Sequence, residues 1–267
     1  MIKKETSFID LKQVKIDDLF FSRVQNVVIH TMLPYQERVL HDEVSGIRKS
    51  HVIKNFRIAA GDEKGTYYGR VFQDSDLAKW LEAVAYSLTV EANPELEARA
   101  DAIIDLIGRA QQPDGYLDTY FIAAEPEHKW QNLTDCHEMY CAGHMTEAGV
   151  AYYQATGKTK LLDICCKLCD HIDRRFGREA GKVTGIPGHE EIELALMRLY
   201  QATGEERYRK LAAYFIDERG RDPEFFHKEA AAAPITWTSS RRPTCRTTSR
   251  CVSRIRWKDT RSAVCIF

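Results

Sequence analysis

"AYYQATGKTKLLDICCKLCDHI" (residues 151–172) and "RLYQATGEERYRKLAAYFID" (residues 198–217) share the same Y-Q-A-T-G run, each time between two stretches of helical character. Gly157 and Gly204 stand where a helix C-terminus takes up a left-handed residue, so each stretch reads as a hairpin of two helices joined by a short turn. The copies are unequally spaced from their neighbours. This predicts a toroid of hairpins, with inner helices around a central pocket, rather than a plain superhelical array.

The pattern extends upstream. In "DLAKWLEAVAYSLTVEA", Leu77, Trp80, Leu81, Val84, Ala85 and Leu88 recur at three and four residues. "NPELEARADAIIDLIGRAQ" resumes the period with Leu96, Ala100, Ile103, Ile104 and Ile107. Asn93-Pro94 separates them, with proline placed to open the second helix. Two loops, "QQPDGYLDTYF" (111–121) and "GKVTGIPGHEEIE" (181–193), are rich in Gly, Pro and aromatics; loops of this kind line one end of a helical barrel. Before residue 70 the periodicity weakens, and "FRIAAGDEKGTYYGRVF" reads as extended and turn-rich. The fold class is therefore all-α: an incomplete barrel of helical hairpins behind a partly extended N-terminal segment.

Composition narrows the function. The 267 residues carry a net charge of −1, which offers no overall argument for nucleic acid. No run approaches the roughly 18 apolar residues of a membrane span, and the first residues lack a signal-peptide core, so a cytoplasmic location and no membrane partner are expected. The eight cysteines, Cys136, Cys141, Cys165, Cys166, Cys169, Cys245, Cys251 and Cys265, are irregularly spaced and expected to be reduced.

The candidate chemistry is concentrated in "TDCHEMYCAGH" (134–144). On a helix, His137, Cys141 and His144 fall at i, i+4 and i+7, one face that either lines a polar pocket or contributes to a zinc site lacking its fourth ligand. Two hydrogen-bonded core histidines beside a buried thiol are the plainer alternative. Cys165, Cys166 and Cys169 sit in the second helix of a hairpin and are expected to pack as small apolar residues. In "GIPGHEEIELAL", Pro187 and Gly188 force a turn before His189, while Glu190, Glu191 and Glu193 suit a helix N-terminus. Asp74 and Asp76 open another helix, with capping by Ser75 or Asp76 expected. Gly-rich phosphate loops and nucleophile elbows are missing from the sequence.

Five motifs, "DSDLAKWLEAVAYSL", "AQQPDGYLDTYF", "HEMYCAGHMTEAGVAYYQATGKTKLLD", "PGHEEIELALMRLYQATGEERY" and "LAAYFIDERG", occur in the order found in glycoside hydrolase family 127, the bacterial β-L-arabinofuranosidases, which the chain resembles from about residue 17 to 226. The resemblance implies an (α/α)6 catalytic barrel and release of terminal β-L-arabinofuranose with retention of configuration. It implies a zinc-bound cysteine thiolate as nucleophile and a glutamate as acid/base. His137 and His189 match the family's sugar-contacting histidines, and Gln36 in "LPYQ" resembles a further pocket residue. The family's zinc ligands, three cysteines and a glutamate, lie further along; none of this chain's cysteines matches them in context. No catalytic residue is therefore assigned, and no zinc is expected on this chain. A metal-independent sugar epimerase on the same barrel, or a non-catalytic helical scaffold, are the competing readings.

Residues 227–267 differ in kind from the rest. They hold nine Lys or Arg against two Asp or Glu, whereas the preceding part is acidic, at 29 against 37. The family carries a G-H-A-V-R motif shortly after this point. With one choice of codons for Arg256 to Phe267, the neighbouring frame reads Val-Glu-Gly-His-Ala-Val-Arg-Cys-Val-Tyr-Phe. The expectation is a barrel part at 1–226 and an out-of-frame, disordered tail at 227–267, which makes the chain a truncated, inactive glycosidase.

Overall fold

The computed structural model describes residues 9–222 and 224–232. Among these, eleven α-helices are arranged as an arc of hairpins: α1 (Phe21–Val27), α2 (Leu33–Leu40), α3 (Val52–Ala59), α4 (Asp74–Val90), α5 (Pro94–Ala110), α6 (Thr119–Ala123), α7 (Glu138–Thr156), α8 (Lys160–Arg175), α9 (Ile192–Thr203), α10 (Glu206–Glu218) and α11 (Phe225–Ala232). An inner row runs from α4 to α7 and from α7 to α9, with α2 also packed on α4. Behind this inner row α5 packs on α8, and α8 on α10. This alternation of inner and outer helices is the (α/α)6 pattern. No helix is long and apolar enough to cross a membrane among the described residues.

The turns form as the residues require. Asn93 caps α5 by accepting from the Leu96 amide at 3.0 Å, with Pro94 in the first turn. Gly157 and Gly204 close α7 and α9 at φ +77° and +74°, a region costly for any residue with a Cβ.

Helix α7 is buried nearly all round, as a helix wedged between α4, α8 and α9 must be. Its glycines permit the approach of neighbours. A Cβ on Gly149 would lie 2.6 Å from Cys165 Sγ, and one on Gly143 would lie 2.7 Å from Glu191 Cγ. Cys165 and Cys169 are fully buried in the core, Cys165 donating to the Met145 carbonyl at 3.1 Å; burial pushes both thiols up, Cys169 to about 12. These cysteines pack as small apolar residues.

Two expectations are corrected. The N-terminal part holds more helix than expected, since α1 and α2 are joined through a π-helical turn (Val28–Met32) and α3 includes "FRIA", while residues 60–72 are turns and irregular chain as expected. The period was hidden because Phe20, Phe21, Val24, Val27, Met32 and Tyr35 are exposed, so apolar residues occupy both sides of the α1–α2 rod. Neither Ser75 nor Asp76 caps α4; Asp74 turns inward instead, as described below. Helix α11 runs across residue 226 to Ala232. Residues 233–267, including Cys245, Cys251, Cys265 and most of the segment expected to be out of frame, lie outside the described residues.

Candidate functional site

The site forms where the 129–137 and 181–191 loops meet at the N-terminal ends of α7 and α9. Pro187 and Gly188 turn the chain, and the Gly188 amide donates to the Leu133 carbonyl at 3.2 Å. A Cβ on Gly188 would lie 2.5 Å from Thr134 O and 2.7 Å from Leu133 O, so only glycine permits this approach. His137, at φ +59°, occupies the position just before α7 rather than its first turn. These two local constraints bring His189 Nε2 to 2.9 Å from His137 Nε2.

The proton arrangement follows from the partners. His137 Nδ1 lies 2.5 Å from the Asp135 carbonyl, which can only accept, so Nδ1 carries the hydrogen. His137 Nε2 is then the acceptor for the Nε2–H of His189. The two Nε2 atoms satisfy each other, so a sugar hydroxyl uses this donor and acceptor only by inserting between the rings in place of their mutual hydrogen bond.

Aromatic and charged groups surround the pair. The Tyr140 ring stands 5.6 Å from His137, 5.3 Å from His189 and 4.4 Å from His144, and Phe72 is 5.0 Å from His137. Lys79 Nζ donates to Tyr140 Oη at 2.8 Å. His144 Nδ1 lies 3.1 Å from Glu191 Oε1. Burial, then Lys79 and His189, lowers the His144 pKa to about 4; burial and the nearby carboxylates raise Glu191 to about 7. Further along the inner face Arg198 is held between Glu147 and Glu82, and donates to Tyr86 Oη at 2.9 Å.

A second, buried group of acids props the loops from behind. Asp74 accepts from the amide (2.7 Å) and hydroxyl (2.5 Å) of Thr119, and burial raises it to about 6. Glu138 accepts from Tyr116 Oη at 2.5 Å and from the Trp130 amide at 2.7 Å. Burial outweighs those bonds and raises it to about 8. Asp118 caps α6 through the Phe121 amide, and burial beside Asp74 and Glu138 raises its carboxyl well above the usual range.

The structure thus unites His137 with His189. Gln36 is solvent-exposed on α2. His137, Cys141 and His144 do not share one face. His137 precedes the helix, His144 faces Tyr140 and Glu191, and Cys141 is fully buried beside Asp118 and Asp74. Among the described residues no three His, Cys, Asp or Glu side chains are gathered for a metal, and burial raises the thiols of Cys136, Cys141, Cys165 and Cys169. The reading of Glu190, Glu191 and Glu193 as dipole partners missed their specific roles. Glu191 meets His144, and Arg219 from the end of α10 meets Glu190 at 3.0 Å and Glu193 at 3.6 Å. Tyr140, His144 and Glu147 on α7, and Lys79, Glu82 and Tyr86 on α4, were legible as polar stripes at helical spacing on otherwise apolar helices.

Comparison with known proteins gives a consistent assignment. The profile of the GH127 catalytic domain of β-L-arabinofuranosidases matches residues 13–251, past Phe226 where the motif likeness ends. A non-reducing end β-L-arabinofuranosidase of Bifidobacterium longum subsp. longum is 43% identical over 235 residues, covering 82% of this chain and 36% of its own length. The crystal structure of a GH127 β-L-arabinofuranosidase from Geobacillus stearothermophilus T6 superposes with TM-score 0.80 at 54% identity, covering 84% of this chain and 36% of that one. A second solved GH127 β-arabinofuranosidase gives TM-score 0.73 at 32% identity, covering 80% and 34%. The chain spans about a third of the length of these relatives.

Proposed function

Because the chain belongs to glycoside hydrolase family 127, we propose that it forms the sugar-binding wall of a retaining β-L-arabinofuranosidase barrel, with terminal β-L-arabinofuranose of glycans or glycopeptides as its ligand. The observation that carries this reading is the His137–His189 contact at 2.9 Å, a donor–acceptor pair that a sugar hydroxyl can replace by inserting between the rings before the N-terminal ends of α7 and α9. Gln36 is proposed as a more peripheral pocket residue on α2.

In this reading the chain alone binds the sugar without cleaving it. By the family resemblance, cleavage with retention would use a thiolate held by zinc and a carboxylic acid beside the leaving oxygen. The described thiols are four buried groups and the half-buried Cys166, whose own pKa is raised by burial. A slip of reading frame between residues 227 and 256 is proposed for the basic tail; genomic sequence through and past codon 267 tests it, and family sequence absent from the neighbouring frame rejects it. Free buried thiols suit a reducing compartment, which supports a cytoplasmic location.

The function is tested by titrating the purified 267-residue chain with L-arabinose and with a chromogenic β-L-arabinofuranoside. Saturable binding that is lost in His137→Ala and in His189→Ala, without turnover, is expected. Undiminished binding in both variants refutes the pocket assignment. Turnover by the unmodified chain, free of longer product, refutes the inactive reading.

A further inference from the structure

The short helix α11 reaches back to the site through a single side chain. Glu229 accepts from the Leu133 amide at 2.8 Å, the Thr134 amide at 2.9 Å and the Thr134 hydroxyl. The same Leu133 residue offers its carbonyl to Gly188, next to His189. Three residues past Thr134 stands His137. One residue, Leu133, therefore joins α11 on one side to the His189 turn on the other, within the loop that delivers His137.

We propose that Glu229 is a positioning residue for the imidazole pair: its carboxylate fixes Leu133 and Thr134, and through them the register of the two loops that carry His137 and His189. Three converging donors are what a carboxylate needs when it is withdrawn from water, and a residue that merely packed would not carry that desolvation cost. Arg219 holds the opposite side of the same turn, donating to the Pro187 carbonyl at 2.6 Å and pairing with Glu190. The His189 turn is thus gripped between α10 and the Glu229-anchored loop. In sequence terms Glu229 belongs to "FFHKEAAAA", beyond the motifs that carry the family likeness, which is why its role does not emerge from them. The inference deepens the sugar-binding reading and rests on it for its significance, though not for its geometry.

The test uses the full 267-residue chain with isotope-labelled histidine, unmodified and as Glu229→Gln and Thr134→Val. In the unmodified chain, His137 should give the nitrogen shifts of a single Nδ1–H tautomer. In Glu229→Gln, one acceptor oxygen is lost and a donor is introduced. The His137 and His189 signals should move toward tautomer-averaged positions, and amide exchange at Leu133 and Thr134 should quicken about tenfold, as for loss of one charge-assisted hydrogen bond. Exchange in the centres of α7 and α8 should stay unchanged, which separates loop release from general destabilisation. Thr134→Val removes only the hydroxyl donor and should shift the same signals less, in the same direction; it keeps the test open if Glu229→Gln fails to fold. Unaltered imidazole signals in a folded Glu229→Gln, or in Thr134→Val if that is the variant that folds, overturn the proposal. Titration of the unmodified chain with L-arabinose reports independently. Should it fail while Glu229→Gln still releases the imidazoles, the positioning role stands and the sugar assignment falls.

Discussion

Gly188→Ala adds one methyl group where two backbone carbonyls already stand at 2.5 and 2.7 Å, with Thr134 Cα at 2.8 Å. These are main-chain atoms, anchored on their other side by Glu229, and cannot rotate aside as a flexible side chain would. The 186–189 turn must therefore retreat by about half an ångström, which lengthens the 3.2 Å Gly188–Leu133 hydrogen bond beyond useful range. Overpacking of this kind costs about 1–3 kcal/mol. The lost bond adds about 1 kcal/mol, so a total of roughly 2–4 kcal/mol is expected. For a chain of this size that corresponds to a fall in Tm on the order of 5–15 °C. The retreat also draws His189 away from its 2.9 Å contact with His137. Calorimetry measures the first effect, and the histidine tautomer signals measure the second. A Gly188→Ala chain that melts within a degree of the parent and keeps the imidazole contact would show that the two loops are not in the tight register described here.

Two further outcomes follow from the buried charges. Glu138, raised to about 8, holds its proton in the fold at pH values where the unfolded chain has released it, so its contribution to stability is full below about pH 4.5 and declines as pH rises to about 8. Glu138→Gln should flatten that part of the stability–pH curve in urea titrations, and an unchanged slope would reject the assignment. Arg198→Met strands Glu147, only 5% exposed, without its cation, and should cost about 3 kcal/mol at neutral pH. Adding Glu147→Gln should recover a large share of the loss, whereas additive losses in the double variant would mean that the pair is not coupled.

The helical hairpins were legible because their signals are local. The three-and-four recurrence of Leu77 to Leu88, the Asn93-Pro94 boundary and the two Y-Q-A-T-G turns each act within about three helical turns, and each appears where expected. The reading of α1 and α2 was poorer for a physical reason: apolar residues on both sides of the rod cancel the contrast on which periodicity depends. The face shared by His137, Cys141 and His144 failed because helical spacing applies only inside a helix. His137 adopts a left-handed backbone just before α7, so its side chain leaves in another direction.

From the residues alone came the class of fold, the turns between its helices and, by motif likeness, the family and the two histidines. What only tertiary structure decided is the pairing of those histidines and the groups that hold it. Leu133 and Gly188 are more than fifty positions apart along the chain, and Glu229 is almost a hundred from the loop it anchors. Contacts at that separation leave no periodic trace in a sequence, because they depend on how closely whole helices pack, and that packing is set by glycines such as Gly143 and Gly188, whose contribution is the absence of a side chain.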